Sequence, residues 1–203
     1  QSGAPAFGTP EYMRATQMTG QLARHYDLPM RSSGVCAANV PDGQAMWETS
    51  NSLWAAVQSG TNMVYHAAGW LEGGLIACPE KFVMDCEVLQ MIQRYMESEV
   101  VATNPEDIAL DAIREVGSSG HYFGIQHTQD RYETAFYRPF ASDWTNFEAW
   151  MINGGTWTAE RAHALYKQII ERFEPPPLDD DRREELEAFV ERRKREGGAP
   201  TDF

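Results

Sequence analysis

A short strand signal, a loop and then a helix of ten or more residues, occurring twice in succession, is the feature that most constrains this chain. Residues 28–33 read as a strand ended by Gly34, and Asp42 is placed to cap a helix from Gly43 to about Gln58, which Gly60 stops. Residues 62–66 (NMVYH) read as a second strand, followed by the glycine-rich AAGWLEGG and a helix that Pro79 opens and that runs to about Tyr95. Strands alternating with helices of this length pair in parallel through crossovers, so the expected class is α/β. Residues 121–127 (HYFGIQH) are a third candidate strand. Before the first strand, Pro10 starts a helix that reaches about Tyr26.

The rest of the chain is read as helical. Asn104-Pro105-Glu106-Asp107 is a helix-start signal for a segment ending at Val116, before Gly117. From Phe140 the character changes: two tryptophans in 143–150, a break at NGG, and a helix capped by Thr158 to about Phe173. Pro175-Pro176-Pro177 then forces an extended stretch, and a highly charged helix from Asp179 to about Arg195 carries only Leu186, Phe189 and Val190 as an apolar patch. This divides the chain into residues 1–139, built of strand–helix units, and residues 140–203, a helical extension.

An eight-fold β/α barrel uses about 250 residues, and only two or three units are visible in 203. The chain opens on Gln1, through a loop into a helix, as though a preceding strand were missing. The expectation is the C-terminal portion of a larger (β/α)8 barrel of the TIM type.

Composition removes several classes of function. Thirty acids against seventeen bases give a net charge of −13, and without the last thirty residues, which hold ten and six of these, twenty face eleven. Nucleic acid would be repelled by such a surface, since no basic stripe lies outside the last helix. No apolar run approaches the roughly 20 residues of a membrane span, so a membrane is not an expected partner. Three cysteines, Cys36, Cys78 and Cys86, with no close pair, read as free thiols of a reducing, cytoplasmic compartment rather than a disulfide framework. Their spacing matches no metal-site pattern, and no metal is expected. Nucleotide-binding glycine motifs, GxSxG and HExxH are all absent.

In parallel α/β folds the ligand site lies where strands end and loops lead into helices. That rule selects RSSGVCAANVPD, YHAAGWLEGG and QHTQDR. His66 and His127 stand at strand ends, where a proton donor, acceptor or electrophilic hydrogen-bond donor belongs, or where a histidine simply links to backbone. Glu72, between an aromatic and two glycines, is placed to hold a cation, move a proton or cap a turn. Tyr65 and Trp70 offer ring faces that stabilise a cation by about 0.5–2 kcal/mol each. Trp47 and Trp54, seven apart on one helical stripe, read as core.

These blocks, together with SGAPAFGTPEY, RSSGVCAANVPDGQAMWE, ALDAIREVG, GIQHTQDRYETAFY and the closing EPPPLD and FVERRKREGGAP, resemble the trimethylamine–corrinoid methyltransferase family, almost from end to end. The resemblance implies an eight-fold barrel in members of roughly 500 residues, of which this is the C-terminal part. It implies methyl transfer from a tertiary or quaternary methylamine, such as trimethylamine or a betaine, to the cobalt of a separate corrinoid protein. Archaeal members carry pyrrolysine; every residue of this stretch is standard, so pyrrolysine belongs either in the part of the polypeptide outside it or nowhere, and the second case, the pyrrolysine-free branch with its quaternary amines, is the expectation. On this reading His66 and Glu72 are the catalytic candidates. Tyr65, Trp70, Arg31, Gln126 and His127 are the substrate-binding ones, with Arg31 pairing a betaine carboxylate through its fork. Partners are then the amine, the corrinoid protein and further copies of the chain. The competing expectation is a non-catalytic interaction or oligomerisation module derived from such an enzyme.

Overall fold

The computed structural model describes residues 3–97 and 108–197, divided into two compact units, Gln1–Lys167 and Gln168–Phe203. The first unit opens with helix α1, Pro10–His25. Thr9 caps it, its hydroxyl accepting from the Tyr12 amide at 3.3 Å. Strand β1, Arg31–Ser33, leads through a loop to α2, Gly43–Gln58, whose first turn is capped by Asp42 as the residue pattern predicts. Strand β2, Met63–Tyr65, then pairs in parallel with β1 in the register Arg31 to Met63, Ser32 to Val64 and Ser33 to Tyr65. Both strands are shorter than the apolar runs that announce them. Asn62 takes over at their start, its side-chain oxygen accepting from the Met30 amide at 2.9 Å while its own amide donates to the Met30 carbonyl.

The β1–α2–β2 unit is closed tightly. A Cβ on Gly34 would come within 2.5 Å of Leu53, so α2 lies directly on the strand end, and Leu53 is buried there. The glycine-rich segment after β2 is not a plain loop. It is a small hairpin in which β3, Trp70–Leu71, pairs antiparallel with β4, Ile76–Ala77, around a 3-10 turn at Glu72–Gly74. Cys36, Ala38, Ala45 and Leu71 form one buried cluster beneath it. Helix α3, Pro79–Met96, follows, and Val83 and Met84 on it pack with Ala141 and Ala162 in a second cluster.

Helix α4 is described over Leu110–Val116; the start signal at Asn104–Asp107 lies outside the described residues. The expected third strand is a correction. Residues 121–127 form a 3-10 turn at Tyr122–Gly124 and the start of a four-residue helix α5, Gln126–Gln129. Its glycine and two histidines interrupt the β-branched alternation a strand needs, and the Ile125 carbonyl accepts the first helical bonds instead. Helices α6, Phe147–Ile152, and α7, Thr158–Glu171, complete the helical series that leads to the second unit. That unit contains α8, Asp180–Arg195, in which none of the residues is buried. The described chain is therefore helix-rich α/β, with one parallel strand pair.

Trp47 also departs from the expected stripe. It is 61% exposed, and small residues fill the inner face of α2 in its place: Ala45, Thr49, Ser52, Ala55 and Ala56 are all buried. Trp54 is half-buried, edge-on to Tyr95 with ring centroids 5.0 Å apart.

Candidate active site

The parallel register sets Arg31 and Ser33 on the same face as Met63 and Tyr65, because paired residues of neighbouring strands point the same way. Arg31 and Tyr65 are diagonal neighbours on that face, and the guanidinium carbon lies 4.6 Å from the ring centroid. The phenol ring is thus already occupied by a cation. Just past the strand end, Ser33 Oγ and His66 Nδ1 are 3.1 Å apart. The His66 ring stands at 86° to the Trp70 ring, centroid to centroid 5.5 Å. Tyr12 donates its hydroxyl to the Ser33 carbonyl at 3.3 Å, tying α1 to the same spot. Tyr65, His66 and Trp70 therefore form one continuous group at and just past the C-terminal end of β2, which Arg31, the first residue of β1, joins through the Tyr65 ring.

Four non-glycine residues among those described have a positive φ, and two of them are His66 and Glu72, each at 50°. Such a conformation costs about 1–2 kcal/mol per residue and persists only where the surroundings impose it. For Glu72 the surroundings are visible. Its amide donates to the Ala38 carbonyl at 3.0 Å and the Gly73 amide to the Cys36 carbonyl at 2.8 Å, so the turn is laced to the loop after β1. Among the described residues the Glu72 carboxylate has no hydrogen-bond or ion-pair partner. The half-buried position leaves it free to meet a ligand.

Two carboxylates hold the loops from below. Glu48 Oε2 accepts from the amides of Ala37 and Ala38 at 2.8 and 3.0 Å, fixing the loop after β1 to α2. Asp85 Oδ2 accepts from the Gly69 amide at 2.9 Å, fixing the residue before Trp70 to α3. Asp85 is 1% exposed and is bridged through both oxygens to Lys81, 0% exposed, at 2.5 and 2.6 Å; Lys81 also donates to Thr49 Oγ1 at 2.8 Å. Burial pushes the Asp85 carboxyl up, with Lys81 and the Gly69 amide opposing it. Cys36 is buried and its thiol is pushed up by desolvation; it donates to the Trp70 carbonyl at 3.3 Å and so acts as packing. The sequence reading missed Lys81 and Asp85 because a lysine and an aspartate four apart on a helix ordinarily make a solvated pair. No local signal marks them, because their burial depends on what packs over α3, where Phe82 is exposed instead.

Gln126 and His127 are not joined to this group by any hydrogen bond, ion pair or ring contact among the described residues. Gln126 donates to Asp130 at 2.6 Å, and the His127 carbonyl accepts from Arg131 at 3.2 Å. His127 lines a separate open hollow with Phe123, Tyr132 and Phe136.

Comparison with known proteins decides what this arrangement belongs to. The family profile described as trimethylamine methyltransferase (MTTB) matches residues 1–198. The chain belongs to that family. It is 35% identical over 199 residues to the glycine betaine methyltransferase of Desulfitobacterium hafniense (strain Y51), covering 98% of this chain and 41% of that protein. It is 26% identical over 196 residues to trimethylamine methyltransferase MttB2 of Methanosarcina mazei, covering 96% and 39%. It is 28% identical over 192 residues to trimethylamine methyltransferase MttB of Desulfitobacterium hafniense (strain DSM 10664 / DCB-2), covering 94% and 38%. The chain spans about two fifths of the length of these family members. In the described residues no helix is long and apolar enough to cross a membrane.

Proposed function

We propose that this chain is the C-terminal part of a cytoplasmic (β/α)8-barrel methyltransferase that moves a methyl group from a tertiary or quaternary methylamine to the cobalt of a separate corrinoid protein. Residues 1–139 supply barrel units and residues 140–203 a helical extension. The observation that carries this reading is the Arg31–Tyr65–His66–Trp70 group on two parallel strands and the loop that follows them, in a chain of this family. Further copies of the chain are the natural cover for its many exposed large apolar side chains.

The corrinoid is a second substrate. Cobalt(I) attacks the methyl carbon in line, the C–N bond breaks, and the amine leaves with the electron pair. The protein has to hold the ammonium, aim one methyl group and exclude water. Trp70 provides an aromatic face and Glu72 an unpaired carboxylate for the positive charge. Tyr65 backs Arg31, whose fork is then presented to a carboxylate. His66, steadied by Ser33, anchors the polar end. A substrate carrying both a quaternary ammonium and a carboxylate uses all of these groups, which favours a betaine and the pyrrolysine-free branch. The 35% identity to a glycine betaine methyltransferase supports the same choice. The unburied, charged α8 favours a second reading, an interaction module without chemistry.

The test is turnover of a panel of betaines and methylamines with a cobalt(I) corrinoid acceptor, in the full-length polypeptide. Trp70→Ala and Glu72→Gln are each expected to lower kcat/KM by about tenfold or more, the scale of one cation–ring or ionic contact in the transition state. Wild-type turnover in both variants overturns the site, and a folded full-length protein inert toward every amine supports the interaction module.

A further inference from the structure

Inside the first unit, the most deeply buried charges lie directly beneath the proposed site. Lys81 and Asp85 are shut away from solvent, and every polar bond they make is internal. Replacing such a pair by apolar side chains of similar volume is often neutral or stabilising, so stability alone is a weak reason to keep it. What an apolar pair could not do is accept the Gly69 amide. Gly69 has φ +83°, which strains any other residue, and a Cβ there would come to 3.0 Å from Phe82 Cβ, so this backbone lies close against α3. The Gly69 carbonyl is taken by the Cys78 amide at 2.8 Å and the Trp70 carbonyl by the Cys36 thiol at 3.3 Å. Asp85 supplies the remaining fixed point of the peptide that leads into Trp70, and Trp70 in turn meets the His66 ring edge-on.

We propose that the buried Lys81–Asp85 pair is a positioning element: Asp85 anchors the Gly69 peptide and thereby sets the orientation of Trp70 against His66, while Lys81, steadied by Thr49, holds the carboxylate in place. This rests on the reading of Trp70 as a substrate-binding residue only for its effect on catalysis; the orientation itself is measurable without any ligand. Neither residue touches the substrate.

Two double variants separate anchor from charge. In K81M/D85N the ion pair is gone and the amide oxygen still accepts from Gly69. In K81M/D85L both charge and acceptor are gone. With 5-fluorotryptophan incorporated in the full-length protein, Trp70→Phe identifies the fluorine resonance of Trp70 among those of the tryptophans in this chain. That resonance is expected near its wild-type position in K81M/D85N and shifted or broadened in K81M/D85L, with the other tryptophans unmoved. A betaine titration is expected to show at least tenfold weaker binding in K81M/D85L than in K81M/D85N at similar melting temperatures. A folded K81M/D85L with a wild-type Trp70 resonance overturns the proposal. If the resonance moves and betaine affinity does not, positioning stands and the substrate role of Trp70 falls. Amide exchange in the wild-type protein gives an independent answer should K81M/D85L fail to fold. A Gly69 amide protected like those of α3 supports the anchor, and one exchanging like an open loop removes it.

Discussion

The loops after β1 and β2 and the segment 126–131 are both picked out by one rule, yet they are built differently. Around Gly69–Gly74 the backbone is held by bonds that reach across the sequence: Asp85 to Gly69, Cys36 to Trp70, Ala38 to Glu72. Around Gln126–Gln129 the side chains bond within one or two turns, Gln126 to Asp130 and Gln129 to the Phe123 carbonyl. In the first region Glu72, and just before it His66, hold strained backbone angles; in the second the backbone is ordinary turn and helix. Long-range buried anchors are what let a loop present a ring or a carboxylate in one orientation, and position at a strand end is only half of that requirement.

Removing one partner of the buried pair is the strongest way to break this contrast. Asp85→Ala leaves the Lys81 ammonium in an apolar interior and is expected to cost about 3–5 kcal/mol in denaturant unfolding. A loss below about 1 kcal/mol would mean that water or another group reaches Lys81, and the anchored region would be no more closed than the other.

A half-exposed pair should fall between the two extremes. Glu80, in the first turn of α3, lies 2.7 Å from His163 Nδ1, with side chains 24% and 53% exposed. The carboxylate only accepts, so the ring nitrogen donates, and this bond holds the Glu80 carboxyl below its ordinary value, helped by the Cys78 thiol. A carboxyl depressed in the folded state contributes stability that is fully present above its unfolded pKa. It loses that contribution as pH falls through the folded value. Wild type should therefore exceed Glu80→Gln by about 0.2–1 kcal/mol at neutral pH, the range of exposed pairs. The difference should shrink as pH drops below 4.5, the ordinary carboxyl value. Unfolding curves at pH 7 and pH 3 check it; a gap that widens in acid reverses the assignment.

How much was legible follows the same division. The β1–α2–β2 unit could be read because its punctuation is local: Asp42 as a cap, Gly34 against Leu53, Gly60 as a stop. Arg31, Tyr65, His66 and Trp70 could be chosen because strand ends follow from those elements. The β3–β4 hairpin was hidden, since two-residue strands carry no periodicity. Asp85 and Lys81 were hidden because their burial depends on what packs over α3, which no helical wheel contains. Glu87 was hidden for the same reason: it is 4% exposed and accepts from the amides of Phe140 and Ala141, 53 and 54 residues away. Residues 121–127 do not form a strand because Gly124 interrupts the run and Gln126–Gln129 closes into a helical turn.

The smallest expected effect sharpens the comparison from the other side. Gln126 and Asp130 are exposed and four apart, and their bond at 2.6 Å is a surface contact that water can replace. Gln126→Ala should change stability by no more than about 0.5 kcal/mol. It should also leave the Trp70 resonance and betaine binding at His66 untouched, because no bond connects the two regions among the described residues. A thermal scan together with a betaine titration of the full-length variant tests both halves of the statement. An unchanged melting temperature with sharply weakened betaine binding would return Gln126 to the site. The full-length protein would then have to bring the α5 segment to the strand ends by contacts beyond those of this chain, and local bonding would no longer be a sign of distance from the chemistry.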